Sequence, residues 1–175
     1  MLSGIASQIE AVLFLSQDPV SERELRDLFG VSSHDLKLAL EELRMNLESE
    51  NHGIILKAIA GGFVLETSPE ICELLSRFRA SDSSKKRKAN LSRAAIETAA
   101  IIAYNQPVTR GEIDEIRGVR SDGIVSRLLE NGVIKISGRK KRGNVSPLTF
   151  STTRKFLEIF GLNELSDLPE LDELE

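Results

Sequence analysis

The side chains that most often carry catalysis or bind metals are scarce here: the 175 residues hold one Cys and two His. A single thiol cannot close an internal disulfide, and with Ile71, Leu74 and Leu75 beside it Cys72 reads as core packing rather than as a nucleophile. His34 falls near a helix start and His52 beside Gly53 in a turn. Neither has a second His, a Cys pair or a carboxylate cluster at metal-ligand spacing, so no metal site and no cofactor is expected. Gly138 and Gly143 have the spacing of a phosphate-cradling loop, but Asn144-Val145 stands where that motif needs Lys followed by Ser or Thr. No nucleophile-elbow or dinucleotide-binding glycine pattern occurs. The residues point to binding, not to an enzyme.

What the chain has in quantity is charge. Lys and Arg number 23 against 27 Asp and Glu, a net −4, which taken alone argues mildly against nucleic acid. The total hides three blocks: residues 1–80 carry −6, residues 81–150 carry +7 and residues 151–175 carry −5. The first change of sign falls in the polar run Ala80 to Asn90, which contains Lys85-Lys86-Arg87-Lys88 and has no apolar period, as a linker does. No apolar run approaches the roughly 18 residues of a membrane span, and no basic flank precedes an apolar core at the N-terminus. A cytoplasmic protein, neither membrane-bound nor secreted by a signal peptide, is expected.

The elements that must position these charges are marked by an internal repeat. Residues 17–31 (QDPVSERELRDLFGV) align without a gap on residues 105–119 (NQPVTRGEIDEIRGV), with identities at Pro19/Pro107, Val20/Val108, Glu24/Glu112, Gly30/Gly118 and Val31/Val119. Ser21-x-x-Glu24 and Thr109-x-x-Glu112 are both capping boxes, Val20 with Leu25 and Val108 with Ile113 have staple spacing, and each Gly supplies a left-handed stop. The same short helix therefore starts and ends twice. An apolar helix precedes each copy, and another follows, with Leu36, Leu40, Leu43 and Leu47 in the first half and Ile124, Leu128 and Leu129 in the second. Two β-type runs come next in each half: Ile54–Ile59 and Phe63–Thr67 around Gly61-Gly62, then Val133–Ser137 and Leu148–Thr152 around a basic loop. A final helix opens at Ser68-Pro69-Glu70 or at Thr153, with Leu74, Leu75 and Phe78 or Phe156, Ile159 and Phe160 as its apolar face.

Three helices followed by a hairpin is the order of a winged helix. The expected fold is mainly α with small β-hairpins (α+β), as two tandem winged-helix domains: 1–80, a linker 81–90, and 91–162, followed by a flexible acidic tail 163–175. That tail repeats Leu at every third position, from Leu162 to Leu174. The period fits neither helix nor strand and suggests an irregular segment that docks on a basic surface.

The two recognition helices differ in charge. The first, Ser33–Glu50, has Lys37 and Arg44 against Asp35, Glu41, Glu42, Glu48 and Glu50, and its wing tip Ala60-Gly61-Gly62-Phe63 has no cation, so the first half reads as built for protein. In the second half Arg120, Arg127 and the wing residues Arg139, Lys140, Lys141 and Arg142 are candidate DNA contacts, without the amide or aromatic side chains that read bases. The first helix also has surplus apolar residues: Leu2, Ile5, Ile9, Val12 and Leu13 form a stripe that Phe14 and Leu15 widen. Ile101, Ile102 and Tyr104 crowd the end of its counterpart, and a surplus in both halves favours association.

The stretch from Leu91 to Arg110, continuing through Glu112 to Val119, resembles the signature of the bacterial segregation and condensation protein B family. Weaker likeness comes from Ala60-Gly61-Gly62-Phe63, Thr67-Ser68-Pro69-Glu70, Gly138-Arg139-Lys140 and Phe156 to Leu162 with Leu168-Pro169. The distal wing departs from the family pattern, with Asn144-Val145-Ser146-Pro147-Leu148 in place of a Gly-Arg-Pro-type turn and Phe150-Ser151-Thr152 in place of Tyr-Gly-Thr. The resemblance implies a homodimeric, non-enzymatic winged-helix subunit of the condensin-like complex. Such a subunit binds the kleisin and, through it, the structural-maintenance-of-chromosomes ATPase heads, in chromosome condensation and segregation at the nucleoid. On that resemblance Ile5, Ile9, Val12 and Leu13 are expected at the dimer interface, Ile101, Ile102, Tyr104, Pro107 and Arg117 near the kleisin, and DNA contact to be indirect or weak and unspecific. The alternative is a winged-helix transcription regulator acting through the second domain.

Overall fold

The computed structural model describes residues 3–49, 52–81, 91–141, 143 and 145–170. The chain divides into two compact units, Met1–Lys86 with Gly161–Asp167 and Arg87–Phe160 with Leu168–Glu175. The first unit runs α1 (Gly4–Leu15), β1 (Val20–Ser21), α2 (Glu22–Phe29), α3 (Ser33–Ser49), β2 (Ile54–Ile59), β3 (Gly62–Thr67), a 3-10 turn at Pro69–Ile71 and α4 (Cys72–Ser81). The second runs α5 (Arg93–Asn105), β4 (Val108–Thr109), α6 (Arg110–Arg117), α7 (Asp122–Glu130), β5 (Ile134–Arg139), β6 (Leu148–Thr152) and α8 (Arg154–Phe160). Each unit is a winged helix: three helices and a hairpin, with a short third strand that makes antiparallel sheets of order β1-β3-β2 and β4-β6-β5.

Local chemistry sets these elements. Both capping boxes form: the Ser21 hydroxyl accepts from the Glu24 amide while Glu24 accepts from the Ser21 amide at 2.8 Å, and Thr109 and Glu112 repeat the pattern with the reverse bond at 2.9 Å. Gly30 (φ 63°) and Gly118 (φ 67°) end α2 and α6 in the left-handed conformation. The strands β1 and β4, two residues each, end on the N-cap residues Ser21 and Thr109 and pair Val20 with Phe63 and Val108 with Phe150. They have no period to read in sequence.

The first wing turns one residue earlier than the Gly61-Gly62 pair suggests. Ala60 (φ 52°) and Gly61 (φ 73°) are the central residues, both at the positive φ a type I′ hairpin requires. Gly62 is the first residue of β3, where a Cβ would lie 2.9 Å from the Val20 carbonyl oxygen, so the close β1–β3 pairing is what requires glycine there. The tip is also covered: the Ala60 amide donates to the Leu162 carbonyl at 2.8 Å and the Gly61 amide to Asn163 Oδ1 at 3.0 Å. Residues 161–167 thus pack with the first unit as an ordered strap, ending in the 3-10 turn Leu165–Asp167. The sequence pattern, by contrast, placed a flexible tail from residue 163. Residues 82–90 of the linker and 171–175 of the tail lie outside the described residues.

The first core gathers Ile9, Leu13, Leu25, Leu36, Leu40, Leu43 and Leu47. The second buries Ile102, Ile113, Val125, Leu128, Val133, Ile134, Phe150 and Phe156. Three expectations fail on burial. Cys72 is exposed rather than packed in a core, and Leu74 and Phe78 of α4 are exposed with it, because α4 continues past the turn that closes the sheet. Ile9 and Leu13 are at most 3% exposed and belong to the first unit's own core, so neither can present a surface to a second copy. Ile5 and Val12 pack partly against that core. The exposed apolar residues of α1 are Phe14 and Leu15, at 78% and 84%.

Candidate functional site

An open groove of about 470 Å³ on the second unit is lined by Glu97 and Ile101 from α5, Ile116 and Arg117 from α6, and Val119. Ser92 starts α5 by accepting from the Ala95 amide, and Thr98, fully buried, returns its hydroxyl to the Ala94 carbonyl at 2.7 Å. Burial of Ala95, Thr98, Ala99, Ile102 and Ala103 on one side of α5 fixes the rotation that presents Glu97 and Ile101. Gly118 turns the chain at the end of α6, so that Val119 completes the far wall. The turn is held from beyond: Asp114 accepts from both the amide and the hydroxyl of the fully buried Ser121. Those bonds, the hydroxyl's above all, hold the Asp114 carboxyl below its ordinary range.

The groove combines three apolar side chains with one carboxylate and one guanidinium. Ile116 and Val119 are more than half exposed. Arg93 Nε lies 3.2 Å from Glu97 Oε1, so the carboxylate of the groove already has a counter-charge. Arg117 Nη1 is buried and has no hydrogen-bond partner among the described residues, an arrangement that costs free energy until an acceptor arrives.

Of the residues expected near a partner, Ile101 and Arg117 line this groove. Ile102 does not: it is fully buried in the core because it lies one residue, about 100°, round the helix from Ile101. Tyr104 sits at the end of α5 and donates its hydroxyl to the Pro169 carbonyl at 2.7 Å. Pro107 is exposed between α5 and β4 and is not among the lining residues. Glu97, Ile116 and Val119 were missed, although the repeat carries a signal for one of them. Ile113 aligns with Leu25, and both are fully buried; Ile116 aligns with Leu28, and these are 53% and 62% exposed. The two copies thus leave the same helical position uncovered.

The basic residues divide by their engagements. Arg120, Arg127 and Lys141 are exposed. Arg139 donates to the Ser146 carbonyl at 2.9 Å, Lys140 Nζ lies 2.5 Å from Glu112 Oε1, and Arg142 lies outside the described residues. Glu112, held by Lys140 and by the amide and hydroxyl of Thr109, titrates at about 2. Its folded-state value lies below that of the unfolded chain, so its stabilisation is complete above pH 4.5 and fades as the pH falls toward 2. Lys140→Ala removes the largest cause. It should flatten this acid limb in urea midpoints followed by the fluorescence of Tyr104, the one Tyr in the chain. An unchanged limb would assign the acid sensitivity to other carboxylates.

The model of the family described as "Segregation and condensation complex subunit ScpB" matches residues 7–171. Segregation and condensation protein B of Symbiobacterium thermophilum is 38% identical over 94% of this chain and 72% of its own length. The protein of the same name from Syntrophotalea carbinolica is 42% identical over 94% of this chain and 81% of its own. A crystal structure of ScpB from Mycobacterium tuberculosis aligns with a TM-score of 0.43 at 29% identity, covering 90% of this chain and 95% of that one. A dimer of an ScpB N-terminal domain complexed with an ScpA peptide aligns with a TM-score of 0.40 at 30% identity over 42% of this chain and 91% of that one. On the family match and these sequence identities, the chain belongs to the ScpB family of non-enzymatic segregation and condensation complex subunits.

Proposed function

We propose that the chain is an accessory subunit of a bacterial condensin-like complex: a homodimer that binds the kleisin and, through it, engages the structural-maintenance-of-chromosomes ATPase heads at the nucleoid in the cytoplasm. Family membership supports the process, and the observation that carries the partner is the groove. The apolar side chains of Ile101, Ile116 and Val119, with Glu97 and Arg117 in the same lining, suit a segment that brings an apolar anchor and a polar or charged group beside it. The test is a titration of the full chain with the kleisin of the same organism, followed by fluorescence anisotropy. Saturable binding of the parent chain that is lost on changing the groove supports the reading; no binding overturns it.

For the dimer, burial moves the expectation from Ile9 and Leu13 to Phe14 and Leu15, the exposed apolar end of α1. Phe14→Glu with Leu15→Glu should halve the mass seen by light scattering, from twice 19.3 kDa to 19.3 kDa. A dimer that persists in the double variant would place the interface elsewhere. The transcription-regulator reading rests on the basic surface of the second unit alone, and α7 carries no Asn or Gln to read bases.

A further inference from the structure

The two units share one fold but differ on the face that carries the recognition helix and wing. In the first unit α3 sets Lys37 and Arg44 against Asp35, Glu41, Glu42 and Glu48, and the wing tip is covered by the strap of residues 161–167. In the second unit the described wing residues from Lys135 to Ser146 are exposed. A bulge between Ile136 and Gly138 shifts the register of β5 just before Arg139, Lys140 and Lys141, which re-aims the side chains that follow.

Two ion pairs tie the second unit's basic elements to one another. Lys140 Nζ at 2.5 Å from Glu112 Oε1 fastens the wing to the first turn of α6. Arg110 Nη1 at 2.6 Å from Asp122 Oδ1 fastens that turn to the first turn of α7. The charges of Arg110 and Arg120 both help to hold the Asp114 carboxyl below its ordinary range, and Arg120 is exposed just ahead of α7. Arg127 stands with Gly123 and Ser126 on the exposed side of α7, opposite the buried Val125 and Leu128.

Glycines give a second, independent sign. Gly111 and Gly123 are each the second residue of a helix, α6 and α7, and a Cβ added at either would meet nothing within 4 Å. No neighbouring atom requires a glycine at either position. Bare first turns do allow the backbone of both helix starts to be approached closely from outside. Arg23 stands at the place of Gly111 in the aligned first copy. The α7 start also lacks a side-chain cap, since the Ser121 hydroxyl is engaged by Asp114.

We propose that this face of the second unit, comprising Arg120, Arg127, Arg139 and Lys141 around the bare starts of α6 and α7, binds duplex DNA through its phosphates without reading sequence. A helix and a wing that both carry exposed cations are the elements that meet phosphates in winged-helix docking. A peptide would need the apolar anchors that this chain offers in the groove instead. The contact is independent of the kleisin reading and is measured in the kleisin's absence.

The test is fluorescence anisotropy of the full chain with a labelled 24-base-pair duplex of arbitrary sequence, as a function of salt. About four phosphate contacts give a slope of log K against log salt near −3 to −4. The triple variant Arg127→Glu, Arg139→Glu, Lys141→Glu should weaken binding at least tenfold at low salt, and the neutral triple variant with Gln should fall between it and the parent. Arg23→Glu, Lys37→Glu, Arg44→Glu in the first unit should change it less than twofold. The proposal is overturned by a folded second-unit variant that binds within twofold of the parent, by a salt slope near zero, or by equal loss from the first-unit variant. Polyglutamate bound as tightly as duplex at equal charge would also overturn it, assigning the face to an acidic protein.

Discussion

Ile116→Glu should weaken binding of the kleisin by about 30- to 1000-fold while leaving the chain folded. Ile116 is 53% exposed and contributes little to its own core, so a polar replacement is expected to change stability by about 0.5 kcal/mol or less. In a complex, the same side chain is one of the three apolar residues that line the groove, with Ile101 and Val119. Removing a desolvated anchor of this kind costs about 2 to 4 kcal/mol, and here a carboxylate would also be buried. The measurement is the dissociation constant from an anisotropy titration, with far-UV circular dichroism of the variant alongside. A folded Ile116→Glu chain that binds like the parent would remove the groove from the proposed function.

Phe156→Ala is expected to produce the largest loss of stability, about 3 to 5 kcal/mol in the second unit. Phe156 is 1% exposed and is the largest of the fully buried side chains. Its ring centroid lies 4.5 Å from that of Phe160, so truncation opens a cavity and removes an aromatic pair together. Domains of this size are stable by about 5 to 15 kcal/mol, so one substitution takes a large part of the total. Tyr104 lies in the second unit and is the only Tyr of a chain with no Trp, so its fluorescence in urea reports this unit alone. A midpoint shift worth less than about 1 kcal/mol would mean that the site collapses around the lost ring.

Much of the local structure was legible because it is governed by neighbours in sequence. The Ser21–Glu24 and Thr109–Glu112 boxes and the Gly30 and Gly118 stops close over three to nine residues, and all four stand where their spacing places them. The strands β2, β3, β5 and β6 lie within two residues of the apolar runs that announce them. The third strand of each sheet was not legible. A two-residue strand has no alternation, and it exists only because β3 or β6, about 40 residues away, pairs with it.

The candidate sites show the same division. The sequence by itself determined the duplication, the three charge blocks and the amphipathic helices. It could not say which apolar residues a unit would use for itself, since periodicity fixes side chains relative to their own helix and not to what packs on it. Ile9 and Leu13 went to the core while Phe14 and Leu15 stayed outside, and Ile102 turned inward while its neighbour Ile101 lines the groove. Only the tertiary structure decided these outcomes, together with the orphaned Arg117 nitrogen, the Lys140–Glu112 tie and the strap over the first wing. Each depends on groups that are distant along the chain and are brought together only when the cores close.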